Sequence, residues 1–281
     1  MKTIHKTKSQ TGTRAGFTLL ELLGVVAILS ILVALILPAV MNAWARAEVT
    51  AVNAEFTSLA GAITKFKADY NKEPWSSINI HEAKADWDAD PTSKSRIRDI
   101  WPQYSFNDQD LDGDGSVNGS WALTGSECLV FFLGGVRSSS GALIGFSKNP
   151  IAPLNGTGTN RTEPYPFPAD RLIDEDGDGM YEYADQLSGA AIHYVSSNNG
   201  QGYSTVAGAP SFYVLSDGTT PWNKGGFQLI SAGADGQMGF DLTDNAQTFE
   251  AGMEFPGAPA PGRLFERDNI TNFHSGTLDD G

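Results

Sequence analysis

From Phe17 to Val40 the chain runs 24 residues with one charge, Glu21. Thr18 and Ser30 are the only hydroxyl side chains in that run, and Pro38 is its only strong helix breaker. About 20 apolar residues in a helix cross a hydrocarbon core, so residues 17–40 are predicted to be a transmembrane helix. The pattern then changes without stopping. Val49, Val52, Phe56, Leu59, Ile63, Phe66 and Tyr70 recur at alternating spacings of three and four, which is one apolar stripe on an amphipathic helix. Glu48, Asn53, Glu55, Lys65, Lys67 and Asp69 fall on the other face. Pro74 closes the segment, so residues 41–73 form the amphipathic half of one long spine helix. Pro38 is where it would kink or locally unwind. The stripe reads as a core face packed on a sheet, or as a coiled-coil seam, for which its length is marginal.

Residues 74–190 have no clean period and read as a variable inserted region. Asp86–Pro91 is predicted as loop and Arg96–Ile100 as a short helical turn, while Asn149 to Pro168 is rich in Pro, Gly and Thr. Leu123–Val136 carries the apolar run Cys128–Leu133 and is predicted to be a short buried helix, with a strand as the alternative. Between residues 191 and 254 the period shortens. Ala191–Val195, Ser211–Leu215 and Gly226–Ser231 are short β-branched and aromatic runs bounded by turn residues, which predicts an antiparallel sheet. Residues 255–281 open on a Pro/Gly-rich stretch and are expected to be a flexible tail. The fold class is therefore α+β, with the spine helix packed on a C-terminal antiparallel sheet as a ladle.

Charge refines this. The chain carries 19 Lys+Arg against 33 Asp+Glu, a formal net charge of −14. Such a surface argues against nucleic acid as the main ligand, because that binding rests on neutralising phosphates. It suits a solvated extracytoplasmic domain or one that takes up cations. Residues 1–16 are the exception, with Lys2, Lys6, Lys8 and Arg14 and no acid. Basic flanks stay cytoplasmic, so the bulk of the chain is expected across the membrane. The segment is unlike a secretory signal peptide, whose apolar region is removed with it. Cys128 is the single cysteine, which leaves no intramolecular disulfide framework. Its apolar setting predicts an inert core thiol.

A lone carboxylate near the start of an apolar span is costly and implies a partner. Gly16-Phe17-Thr18-Leu19-Leu20-Glu21 resembles the cleavage and methylation motif of type IV prepilins and type II secretion pseudopilins. The resemblance implies a pilin-like ladle and a structural role rather than an enzymatic one. It also implies removal of the 1–16 leader by a prepilin peptidase after Gly16 and N-methylation of Phe17. Glu21 then lies at the fifth mature position, where it would pair with the new amine of a neighbouring subunit, and Pro38 falls where the family often has proline. The implied partners are other pilin or pseudopilin subunits, the peptidase, a secretion or pilus assembly platform and membrane lipid. The implied location is the inner membrane, single-pass, with the C-terminal domain in the periplasm. The resemblance covers only the first 40 residues. A type IV or competence pilus subunit, and a membrane-anchored calcium-binding domain that never polymerises, stay open beside a type II secretion pseudopilus.

Three acidic loops carry the remaining candidate chemistry. Asp110-Leu-Asp112-Gly-Asp114-Gly matches the first six positions of a calcium loop, D-x-D-x-D-G, in which alternate oxygens converge on a hard cation. Its twelfth position is Trp121 rather than an acid. Asp174-Glu-Asp176-Gly-Asp178-Gly repeats the pattern with Asp185 at position twelve. Neither lies between clear helices, so no EF-hand fold is implied. The third, Leu229 to Gly239, is a strand running into a Gly-rich turn at Asp235, with Asp241 and Asp244 behind it. It is similar to the calcium-holding C-terminal loop of major pseudopilins. That similarity implies Asp235 as first ligand and Asp241 or Asp244 as second, with carbonyls near Leu229 and Ser231 completing the shell. For each loop a solvated turn is the alternative reading. The enlarged middle and the two D-x-D-x-D-G loops depart from that family. The four histidines are far apart, with no HExxH and no cysteine pair, which speaks against zinc. No GxSxG, P-loop or dinucleotide fingerprint is present.

Overall fold

In the computed structural model, residues 18–138, 140–204, 211–239, 246–250 and 263–279 are described. Helix α1 spans Leu19–Tyr70 and continues through Pro38, so the expected kink site does not interrupt it. The chain divides into two units, Met1–Ala47 and Glu48–Gly281.

In the first unit, the described helical residues are all exposed, Leu19, Leu20, Ile28 and Leu35 each by more than half. One described helix, α1, is long and apolar enough to cross a membrane.

In the second unit, Val52, Phe56, Leu59, Ile63 and Phe66 are buried, while Val49 and Tyr70 pack half-buried against the same core. The stripe makes ring contacts outside the helix with Phe132, 5.7 Å from Phe66, and with Trp101, 5.7 Å from Tyr70. The helix ends at Tyr70, before Pro74, because Asn71 adopts φ 58°, a left-handed cap that asparagine tolerates. Glu73, just beyond, is buried and accepts bonds from Lys67 Nζ (2.9 Å), Ser196 Oγ (3.0 Å) and the Asn199 N–H (3.2 Å).

The middle of the chain supplies much of this core. Strand β1 (Ser77–His81) pairs antiparallel with β2 (Ser120–Thr124), setting Ile78 opposite Leu123 and Ile80 opposite Trp121. Between them lie α2 (Lys84–Ala89) and α3 (Pro91–Ile100). The expected loop at Asp86–Pro91 is therefore a junction of two helices. Asp90 caps α3 by accepting the Ser93 N–H at 3.0 Å, with Pro91 in its first turn, where proline's missing donor costs nothing. Helix α4 (Gly125–Gly134) realises the buried-helix reading of the Cys128 run, and all its residues are buried. It packs on strands β1, β2, β4 and β5.

A hairpin of β3 (Leu172–Ile173) and β4 (Glu182–Tyr183) follows. Strand β5 (His193–Ser196) then pairs with β7 (Phe227–Ser231), and β7 with β9 (Ile270–Thr271), all antiparallel. Strand β6 (Phe212–Val214), expected in that sheet, instead pairs in parallel with β8 (Ala246–Thr248). A second correction concerns the end of the chain. Residues 263–279 of the expected flexible tail form a 3-10 turn and β9, and bury Glu266, Asn269, Ile270 and Leu278. The apolar residues Ile270 and Leu278 anchor what the Pro/Gly-rich composition before them had disguised.

Candidate functional site

Gly16 and Phe17 lie outside the described residues. The helix start just after them is held by a reciprocal pair. The Thr18 N–H and hydroxyl donate to Glu21 Oε2 at 2.9 and 2.8 Å, and the Glu21 N–H donates to Thr18 Oγ1 at 3.2 Å. This is a capping box, in which side chains satisfy orphan donors of the first turn. Glu21 thus has a second structural use at the helix N-terminus, where negative charge is favourable.

The two D-x-D-x-D-G loops adopt one conformation. In the first, Gly115 N–H donates to Asp110 Oδ2 (3.0 Å), Asp114 N–H to Asp112 Oδ1 (2.9 Å) and Ser116 N–H to Asp114 Oδ1 (2.6 Å). In the second, Gly179 N–H donates to Asp174 Oδ2 (3.1 Å), Asp178 N–H to Asp176 Oδ1 (3.2 Å) and Met180 N–H to Asp178 Oδ1 (2.7 Å). Gly113, Gly115, Gly177 and Gly179 all have φ between 75° and 91°, a region that glycine enters without strain.

Each loop recruits a glutamate from elsewhere. Carboxylate oxygens of Glu82, Asp110 and Asp112 lie within 4.8 Å of one another, as do those of Glu127, Asp176 and Asp178. These are hard oxygen donors of the kind calcium takes. Glu82 is fully buried and accepts the N–H groups of Leu111 (2.6 Å), Asp112 (3.3 Å) and Gly119 (2.7 Å). Glu127 accepts the Thr124 N–H at 2.9 Å as part of the α4 capping box. Burial pushes its acid up to about 7, against that bond, and the charges of Asp178, Glu182 and Asp176 push the same way.

Asp185, expected at position twelve of the second loop, does not join it. It is buried and accepts the Leu187 and Ser188 N–H groups (2.9 and 2.8 Å) and the Ser231 hydroxyl (2.5 Å). Its carboxylate thereby ties the turn after β4 to the end of β7. Trp121, at position twelve of the first loop, donates its indole N–H to the Asp178 carbonyl at 3.0 Å, so the two loops meet at this side chain.

In the third loop, Asp241 and Asp244 lie outside the described residues. Asp235 meets Asp268 instead: Asp268 Oδ2 accepts the Ala234 and Asp235 N–H groups at 2.7 and 2.9 Å. Burial raises the Asp235 acid, and the Asp268 charge adds to that. Gly233, at φ 66°, passes so close that a Cβ would sit 2.2 Å from the Asp268 carbonyl. The Leu229 carbonyl accepts the Asn272 N–H at 3.2 Å. The Thr-x-x-Glu spacing of Thr124 and Glu127 was the one signal in the sequence for these added acids. Glu82 and Asp268 had none.

Residues 12–37 match the profile of the prokaryotic N-terminal methylation motif. The type II secretion system core protein G of Pseudomonas aeruginosa is 40% identical to this chain over 60 residues, which is 21% of this chain and 42% of that protein. No solved structure matches the chain. The methylation motif, the apolar helix and this partial identity make the chain similar to type IV prepilin-like proteins and pseudopilins, and it spans less than half the length of the relative it matches.

Proposed function

We propose that the chain is a structural, non-enzymatic subunit of a type II secretion pseudopilus, anchored in the inner membrane with its Glu48–Gly281 unit in the periplasm. A prepilin peptidase removes residues 1–16 and Phe17 is N-methylated. The observation that carries this reading is the methylation motif at 12–37 running into the apolar part of α1, in which Glu21 is the one charge before Arg46. A carboxylate in hydrocarbon needs a cation, and cleavage creates an amine on Phe17 of the neighbouring copy. Glu21 pairs with it as subunits enter the filament through an assembly platform. Calcium is the proposed structural ion, with Glu82 completing the 110–114 loop, Glu127 the 174–178 loop and Asp268 joining Asp235. The support is the convergence of acids from separate segments at the first two loops and the Asp268 charge acting on Asp235 at the third.

Two substitutions separate the roles of Glu21. Glu21→Gln keeps an acceptor for the cap and loses the charge, whereas Glu21→Ala loses both. Both variants are expected to insert and to lose the leader, seen as a size shift, yet to fail in assembly. Normal filament assembly by Glu21→Gln would overturn the charge pairing.

A further inference from the structure

The two acidic loops frame one cleft. Its volume is about 100 Å³ and its floor is apolar, formed by Leu111, Phe131, Val136 and Leu143. Asp112 of the first loop, Asp178 of the second and Glu127 between them supply its carboxylates. Arg137 also lines the cleft, and three carboxylates against its one guanidinium leave a net negative rim, so an occupant that suits it carries an apolar side chain beside a cation. Among the described residues of the Glu48–Gly281 unit, the most exposed large hydrophobic side chain is Ile151, at 53%. Lys148 stands three residues before it, exposed, with no carboxylate partner among the described residues.

This loop is held in shape. The Lys148 N–H donates to the Asn160 carbonyl (3.0 Å), the Ile151 N–H to Asn149 Oδ1 (3.2 Å), and the Ile151 carbonyl accepts the Ser105 N–H (2.8 Å). Pre-set backbone lowers the ordering cost of docking. Lys148 lines a second groove, along α1, that shares no lining residue with the acidic cleft. Loop and cleft are therefore different surfaces, and a contact between them is heterologous. Repeated from copy to copy, such contacts propagate as a ring or an open helix.

We infer that the Lys148–Ile151 loop of one copy seats in the Asp112–Glu127–Asp178 cleft of the next, Ile151 on the apolar floor and Lys148 against the carboxylates. The inference rests on the assembly reading above and names a contact within it. It is compatible with cations in the loops. Glu82, Asp110, Asp112 and Asp114 at the first loop and Glu127, Asp174, Asp176 and Asp178 at the second are eight carboxylates, so one divalent ion in each loop leaves the rim negative.

The test is cysteine cross-linking of the full-length chain in membranes from cells expressing the secretion machinery, with copper phenanthroline as oxidant. Leu111→Cys with Ile151→Cys is expected to give a ladder of multimers that neither single variant gives. Lys148→Glu added to the pair should weaken the ladder severalfold. Ile28→Cys, in the exposed apolar part of α1, reports helix-to-helix assembly separately. Multimers from Ile28→Cys without a ladder from the 111/151 pair would overturn the contact and keep the assembly reading. A 111/151 ladder without Ile28 multimers would keep the contact and count against assembly through the helix. Absence of both would overturn both.

Discussion

The loops at Asp110 and Asp174 share a sequence pattern, a conformation and a recruited glutamate, yet the glutamates are held differently. Glu82 is enclosed by three backbone N–H groups contributed by the first loop and its exit. Glu127 has the Thr124 N–H of its own helix cap and faces the charges of Asp176, Asp178 and Glu182. An ionised carboxylate surrounded by donors is satisfied by the protein itself. One surrounded by other carboxylates has its ionised form disfavoured. The first loop is therefore built to hold its shape with or without a cation, and the second gains most when a cation arrives.

The largest effect expected from this difference is at Glu82. Glu82→Ala takes the acceptor from the N–H groups of Leu111, Asp112 and Gly119 and empties a fully buried site; a group left unpaired away from water costs about 1–3 kcal/mol, and one that water reaches costs less. Thermal unfolding of the full chain in detergent should show a large fall in Tm that is already present in chelator, where no cation is lost. A Tm near that of the unmodified chain would break the assignment of Glu82 as the first loop's internal support. Next in size is the response to calcium. An ion at a hundred times its Kd stabilises by about 2.7 kcal/mol. Asp176→Asn should remove more of the calcium-dependent rise in Tm than Asp112→Asn. The reverse order would invert the comparison, and no calcium response in the unmodified chain would reject the ion at both loops.

What was legible in the sequence follows from how local each signal is. The stripe from Val49 to Tyr70 could be read because a helix repeats its face within a few residues, and five of its seven members are fully buried. The D-x-D-x-D-G turns could be read because glycine and aspartate fix the backbone within six positions. The partners of those turns could not. Glu82 lies 28 positions before Asp110 and Glu127 lies 47 before Asp174, and only β1–β2 pairing and the packing of α4 bring them in. Counting twelve positions from Asp174 pointed to Asp185, which the fold spends on Ser231 instead. Asp268 was hidden in a segment whose composition suggested a tail, although β9 pairs two residues beyond it. The parallel β6–β8 pair was equally unreadable, because short strands carry no mark of their partner's direction.

The smallest and most selective prediction concerns Glu127 alone. Burial and neighbouring acids hold its folded-state acid near 7, well above the usual carboxylate range. Between the unfolded and folded values the folded chain therefore binds more protons than the unfolded chain, so its stability falls as pH rises across that window. In chelator, Tm should decline from pH 5 to pH 8 by the equivalent of about 1–2 kcal/mol, the full shift being discounted for partial solvent screening. Glu127→Gln keeps an acceptor for the Thr124 N–H, since glutamine serves at that position of a capping box, and removes the charge. It should flatten the slope, unfold later than the unmodified chain at pH 8 in chelator, and lose the second loop's calcium response. Because Glu82 is held by three backbone N–H groups, removing its carboxylate should instead destabilise the fold. If Glu127→Gln left the slope unchanged, the repulsion that distinguishes the two loops would not lie at this residue.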